Sequence, residues 1–267
     1  MSIRLYFFRV DSGGSNFGDE LSPLIVSFLT GQKVERSDPM SCDLTGTGSI
    51  LDRFTRPKGR FLTGLRKSLL GREIAVWGTG LIQDKGPRRH NLRLLAVRGN
   101  QTRDAMTKDS TLTLGDPGLL VGRMIRKPAT RSPIGVVPHY TDRSDPMVQA
   151  LRAMPGVKII DVDGDAMAVV RDIAACGVVL SSSLHGLIVA DSFGIPNHHL
   201  RFGGRVKGGD FKFLDYASAI GRPDIAATSL AAPEDLLHFP RDAADFSYQS
   251  GIDRVCDALE RSLRADF

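Results

Sequence analysis

Cysteine is scarce in this chain, with three residues, Cys42, Cys176 and Cys256, scattered over 267 positions. An odd and irregularly spaced set matches neither a disulfide framework nor a zinc spacing. The three are expected to be buried free thiols in a reducing compartment. No apolar run approaches the length of a membrane span. The opening Met-Ser-Ile-Arg-Leu-Tyr-Phe-Phe-Arg-Val is too short and too charged for a secretory leader, which points to the cytoplasm. Aromatic residues are few, at 7%, and they do not interleave with the basic clusters. That argues against a stacking surface for single-stranded nucleic acid, and no nucleic-acid partner is expected. Low-complexity segments and metal-ligand constellations are missing as well.

What is present is a soluble composition with an excess of positive charge. The hydrophobic fraction is 42% and the formal net charge is +5. The balance suits anionic partners: a phosphorylated substrate, nucleic acid, or an acidic membrane surface contacted peripherally at its inner face. Strand-like runs alternate with helical patterns almost throughout. The strands are expected at Ile3–Phe8, Ile74–Trp77, Leu92–Val97, Ile134–Val137, Val157–Val162, Gly177–Leu180 and His198–Phe202. Helices are expected at Glu20–Leu29, Gln101–Lys108, Pro146–Met154, Gly164–Cys176, Leu187–Phe193 and from Gly251 onward. Such alternation predicts an α/β fold with parallel sheets and crossover helices. Residues 126–133 hold two prolines and no apolar period, and read as a linker. It would divide an N-terminal Rossmann-like domain, residues 1–125, from a C-terminal one, residues 134–267.

The stretch from Gly177 to Pro196 carries the strongest chemical signal. Val178-Val179-Leu180 reads as a buried strand, and Ser181, Ser182 and Ser183 are good helix-capping residues. An apolar helix follows, with Gly194 suited to its end and Pro196 blocking continuation. His185 then sits in the first helical turn beside three hydroxyls. A helix start offers unpaired N–H groups and a positive dipole end, which attract phosphate and favour a neutral imidazole.

Ser-x-Ser-Leu-His-Gly followed by an apolar helix and Gly-x-Pro resembles the C-terminal signature of the polysaccharide pyruvyl transferase family. Other segments match that family in order. Asn16-Phe-Gly-Asp-Glu-Leu21 resembles its first motif. The turns Gly46-Thr-Gly-Ser-Ile50 and Gly78-Thr-Gly-Leu-Ile82 follow, then the strand ending in Val97-Arg98. Leu114-Gly-Asp-Pro-Gly-Leu-Leu120, Gly135-Val-Val-Pro-His139 and Lys212-Phe-Leu-Asp-Tyr216 complete the set. The chain is short for the family, and Ser183 stands where some relatives carry arginine.

The resemblance implies two Rossmann-like domains in a GT-B-like pair with the active site in the cleft between them. It also implies transfer of the pyruvyl group of phosphoenolpyruvate, as a cyclic ketal, onto two hydroxyls of a sugar in an exopolysaccharide precursor, with release of phosphate. Phosphoenolpyruvate would be a co-substrate, with no cofactor and no metal; the acceptor would be a saccharide, lipid-linked or free. His185 is then expected as the acid–base group. Ser181, Ser182, Ser183 and Arg98 would hold the donor, and the glycine-rich loop with Arg201 and Arg205 would supply a further cation. Asn16 and His139 would bind the acceptor, with Asp19 as base; capping of the first helix is the competing reading for Asn16 and Asp19. Asp116, before a proline, is expected to cap a turn. Two other functions fit the same pattern: a nucleotide-sugar glycosyltransferase of GT-B type, and a non-catalytic phosphate- or glycan-binding module.

Overall fold

The computed structural model describes residues 2–9, 16–39, 41–55, 73–83, 91–203, 208–223 and 225–267. Among these residues ten strands form two sheets. The first sheet holds β1 (Ser2–Tyr6), β2 (Lys33–Arg36), β3 (Leu44–Thr45), β4 (Ile74–Trp77), β5 (Leu92–Val97) and β6 (Thr113–Leu114). The second holds β7 (Ser132–Val137), β8 (Val157–Ile159), β9 (Cys176–Ser181) and β10 (Asn197–His199). All pairings are parallel, in the orders β2-β1-β3-β4-β5-β6 and β10-β9-β7-β8. This is the pair of Rossmann-like sheets that the alternation predicts.

The central strands are apolar on both faces because helices cover both faces. Every residue of β4 is buried, as are Val178, Val179 and Leu180 of β9. Several expected bounds shift: β1 stops at Tyr6, β8 stops at Ile159, and Cys176, expected to end a helix, opens β9. Ser132 and Pro133, read as linker, already belong to β7, where Ser132 pairs with Cys176. The last strand is Asn197–His199 rather than 198–202, because Asn197 is the residue that pairs with Val179. β2, β3 and β6 were not expected. β2 is a polar edge strand and β3 has two residues, so neither carries an apolar run.

The helices are α1 (Phe17–Thr30), α2 (Asp52–Thr55), α3 (Asn100–Met106), α4 (Val121–Met124), α5 (Pro146–Arg152), α6 (Ala166–Ala174), α7 (Leu184–Ser192), α8 (Phe211–Ile220) and α9 (Ile252–Arg264). α1 buries Phe17, Leu21, Ile25 and Leu29 as one stripe and ends at Gly31, which takes φ +67° and returns its N–H to the Ser27 carbonyl. One apolar core runs through both halves, joining Leu5, Leu21 and Trp77 to Val137, Leu187 and Ile188.

The chain after β10 crosses back to the first sheet. α9 buries Ile252, Cys256, Leu259 and Leu263, and the indole N–H of Trp77 donates to the Leu259 carbonyl at 3.0 Å. α8 meets the end of β5 through a buried ion pair. Arg98 Nε donates to Asp215 Oδ2 at 3.0 Å, and both side chains are 0% exposed. Asp215 also accepts the Thr102 N–H at 2.9 Å and its hydroxyl at 2.6 Å.

Each sheet has one place where successive connections leave in opposite directions. In the first it lies between β1 and β3, and in the second between β7 and β9. Ligands of open parallel sheets bind outside the carboxyl ends of the strands at such points. Here the two points open onto the same cavity.

Removing one partner of a buried ion pair leaves the other charged and unsatisfied, at a cost of about 3–5 kcal/mol. Asp215→Ala is therefore expected to destabilise the chain by that amount in urea unfolding. Arg98→Met/Asp215→Leu should recover part of the loss. A cost below about 1 kcal/mol for Asp215→Ala would show that the pair does not join the halves.

Candidate active site

The cavity measures about 340 Å³. Its first-sheet wall carries Phe8, Asn16, Asp19, Ser49 and Arg53, and its second-sheet wall carries His139, Tyr140, Ser183 and His185. Lys212, from α8, closes the inner side.

His185 lies in the first turn of α7, which starts where β9 ends. Its ring is almost wholly buried, at 8% exposure for the residue. Burial, followed by the charges of Lys212 and Arg98, pushes its pKa down to about 3, so the imidazole is neutral at physiological pH. Nε2 points to Asp116 Oδ2 at 3.9 Å, too far for a hydrogen bond, and both atoms are buried without a partner. Asp116 does cap its turn: Oδ1 accepts the Gly118 N–H at 2.9 Å. Burial raises its pKa to about 6. The ring can enter this position because residue 18 has no side chain. A Cβ on Gly18 would lie 1.9 Å from His185 Nδ1.

Asp19 is 3% exposed and sits in the first turn of α1. Its Oδ2 accepts from the Asn16 amide, and its Oδ1 is buried with no partner. Neither residue makes the helix-capping bond that competed with a site role. Burial, then the nearby Asp116, raises the Asp19 pKa well above the ordinary carboxyl value. The first Gly-Thr-Gly turn makes room for it. Gly48 takes φ +103°, and a Cβ there would fall 1.8 Å from Asp19 Oδ1. Thr79, from the second such turn, ties the two together by donating to the Gly48 carbonyl at 2.8 Å.

The remaining expected residues separate into those at the cavity and those turned elsewhere. Ser183 lines it and makes no capping bond of its own. Ser181 is fully buried, and its hydroxyl lies 2.8 Å from both the Val137 and Ser183 carbonyl oxygens. The Ser182 hydroxyl donates to Asp142 at 2.7 Å and accepts the His139 N–H at 2.9 Å, fixing the loop after β7. These two serines hold the turn; their hydroxyls do not face the cavity wall. His139 does face it, with Nδ1 2.7 Å from the Thr141 hydroxyl, and burial lowers its pKa to about 4. Arg98 was expected to project into the cleft. Instead its guanidinium is spent on Asp215, on the Ser49 hydroxyl at 2.6 Å and on the Leu81 carbonyl at 2.6 Å. Arg201 is exposed and paired with Asp210. Arg205 lies outside the described residues.

Sequence reasoning missed Lys212. The residue is 8% exposed, and burial followed by the Arg98 charge lowers its pKa to about 8. The one available signal was its place in the Lys212-Phe-Leu-Asp-Tyr216 segment. Among the described residues, no three His, Cys, Asp or Glu side chains converge closely enough to hold a metal ion. Among the same residues, no helix is long and apolar enough to cross a membrane.

The spacing of these groups can be set beside known proteins. A family model described as polysaccharide pyruvyl transferase matches residues 16–201, which span both walls of the cavity. The chain belongs to the polysaccharide pyruvyl transferase family. An uncharacterized protein of Acanthamoeba polyphaga mimivirus is 34% identical over 161 residues, 56% of each chain. The succinoglycan biosynthesis protein ExoV of Rhizobium meliloti is 28% identical over 226 residues, 82% of this chain and 65% of that one. The chain thus spans less than two thirds of the length of either relative. Among solved structures, a functionally uncharacterized protein of Klebsiella pneumoniae aligns over 85% of this chain and 93% of its own, with a TM-score of 0.46 and 10% identity.

The buried neutral His185 has a measurable signature within this family site. Its folded pKa, about 3, lies below the unfolded value near 6.5. Between those values the unfolded chain binds the extra proton, so stability falls as pH drops from about 6.5 toward 3. His185→Gln removes that contribution. Its acid loss of stability, followed by urea unfolding at pH 7, 6, 5 and 4, should be shallower than that of the parent by about 1 kcal/mol per pH unit. Parallel curves would mean that the imidazole is not held neutral.

Proposed function

We propose that this chain transfers the pyruvyl group of phosphoenolpyruvate onto two hydroxyls of a saccharide in an exopolysaccharide precursor, forming a cyclic ketal and releasing phosphate. One observation carries the reading. A neutral imidazole and a carboxyl group of raised pKa, His185 and Asp19, line one small cavity at the facing switch points of two sheets. The reaction needs an acid for the enol carbon and a base for the attacking hydroxyl.

The raised pKa suits Asp19 to the acid role and the depressed one suits His185 to the base role. This reverses the emphasis expected from sequence, where Asp19 was the base. Asp19 gives its proton to the methylene carbon of the donor, and C2 becomes an oxocarbenium-like centre. The first sugar hydroxyl attacks C2, and its proton passes to His185. The imidazolium then protonates the bridging oxygen as the C2–O bond breaks and phosphate leaves. The second hydroxyl closes the ring on C2, and its proton returns to the Asp19 carboxylate. Both groups end as they began. Asn16 orients Asp19 by its amide, and the start of α7 with Ser183 faces the leaving anion. His139 and Tyr140 stand on the acceptor side of the rim.

Phosphate release from phosphoenolpyruvate should depend on an added saccharide. In an assay with a panel of oligosaccharide acceptors, His185→Ala is expected to lower the rate by about 10²–10⁴-fold. Release that needs no acceptor, or that survives the substitution, would remove the proposal. If phosphoenolpyruvate also fails to raise the thermal midpoint while nucleoside diphosphates do, a nucleotide-sugar donor replaces it.

A further inference from the structure

Among the described residues two cations line the cavity, and they differ in kind. Arg53 is exposed and lies 5.3 Å from the Phe8 ring. Lys212 is more than nine-tenths buried, and its ammonium has no hydrogen bond and no ion pair among the described residues. Its one mapped contact is the Phe213 ring, 5.2 Å from Nζ. Asp19 and Asp142 attract it from a distance without pairing with it; a buried ammonium with no direct partner is costly, and long side chains ordinarily reach for water instead. This one is held. Asp215, one turn further along α8, is locked to Arg98 and Thr102, so the helix cannot rotate the lysine outward.

The ammonium shares the cavity with Ser183, whose hydroxyl makes no capping bond, and with the first turn of α7, a helix of nine residues. Helix N–H groups, a hydroxyl and a point-charge ammonium are the parts of a phosphate site; a carboxylate is matched better by a planar guanidinium fork. We propose that Lys212, with Ser183 and the start of α7, forms a phosphate-binding site, and that Arg98 acts as a positioning residue that holds Lys212 there through Asp215. The inference rests on the proposed function only for the donor that carries the phosphate.

Calorimetric titration of the whole chain with inorganic phosphate, and separately with pyruvate, tests the site without turnover. Phosphate should bind the parent chain. Lys212→Met should weaken it at least 10-fold, and Lys212→Arg should restore much of the affinity. Without ligand, the thermal midpoint of Lys212→Met should equal or exceed the parent's, because an unpaired buried charge is replaced by an apolar chain of similar length. Added phosphate should raise the parent's midpoint and leave the variant's unchanged. The site inference is overturned if phosphate does not bind, if it binds the Met variant equally well, or if that variant melts well below the parent. Pyruvate affinity that depends on Lys212 while phosphate affinity does not would overturn it too. The two proposals fail separately. Lys212-dependent phosphate binding without acceptor-dependent turnover keeps the site and removes the reaction. Turnover with an unchanged KM in Lys212→Met keeps the reaction and removes the site.

Discussion

The buried contact between Arg98 and Asp215 is the constraint on which the rest of the arrangement depends. Arg98 directly follows β5 of the first sheet, while Asp215 lies in the helix that follows the last strand of the second. Placing two charges at zero exposure costs several kcal/mol per ion before their attraction is counted. The cost is met only because nearly every donor and acceptor is used: Asp215 takes three protein groups and Arg98 reaches Ser49 and Leu81 besides. A pair so completely satisfied has one geometry. That geometry fixes α8 against α3, and with it the position of Lys212. Through Ser49 it also touches the first-sheet wall of the cavity.

Around this joint the protein keeps several polar atoms unsatisfied. Asp19 Oδ1, Asp116 Oδ2 and His185 Nε2 are all buried without partners. Each such atom forfeits about 1–3 kcal/mol, and a chain selected for stability alone would have paired or replaced them. A continuous apolar core shared by both halves offsets the cost and keeps the walls from relaxing into one another. Gly18 and Gly48 show how tightly this is drawn, since a single methyl at either would strike the His185 ring or the Asp19 carboxylate. The groups stay unsatisfied because the backbone that holds them is over-determined.

Much of this was legible in the sequence, for a physical reason. The strands β4, β7 and β9 are buried on both faces over most of their length, so burial is written into consecutive apolar residues. The turn at Ser183 and His185 announces itself because its polar residues interrupt such a run. Asn16 and Asp19 were legible through the resemblance of Asn16-Phe-Gly-Asp-Glu-Leu21 to the family's first motif. Arg98 was legible as a strand-end cation but not by its destination, which is set by a carboxylate 117 positions away. Lys212 was silent for the same reason, since its burial follows from where α8 docks rather than from its own neighbours. The Gly-Thr-Gly turns looked interchangeable with any strand-to-helix turn. Only the packed structure distinguishes Gly48, whose hydrogen faces a carboxylate.

The charges of the site also explain how binding and chemistry would be coupled. The Lys212 ammonium lowers the pKa of both Asp19 and His185. Each shift is unhelpful to its proposed task, since an acid should keep its proton until the donor arrives and a base should welcome one. A phosphate dianion seated on Lys212, as proposed, would offset that influence and add a negative potential of its own. Both pKa values then rise, because a nearby anion favours the protonated state of either group. In the proposed reaction Asp19 would then hold its proton more firmly, and His185 would be a stronger base, when an enol carbon and a sugar hydroxyl are brought beside them. The low dielectric that makes the unpaired lysine expensive also enlarges this change. A solvated cation could bind the same anion, but it could not carry the news of its arrival to the two groups that transfer the protons.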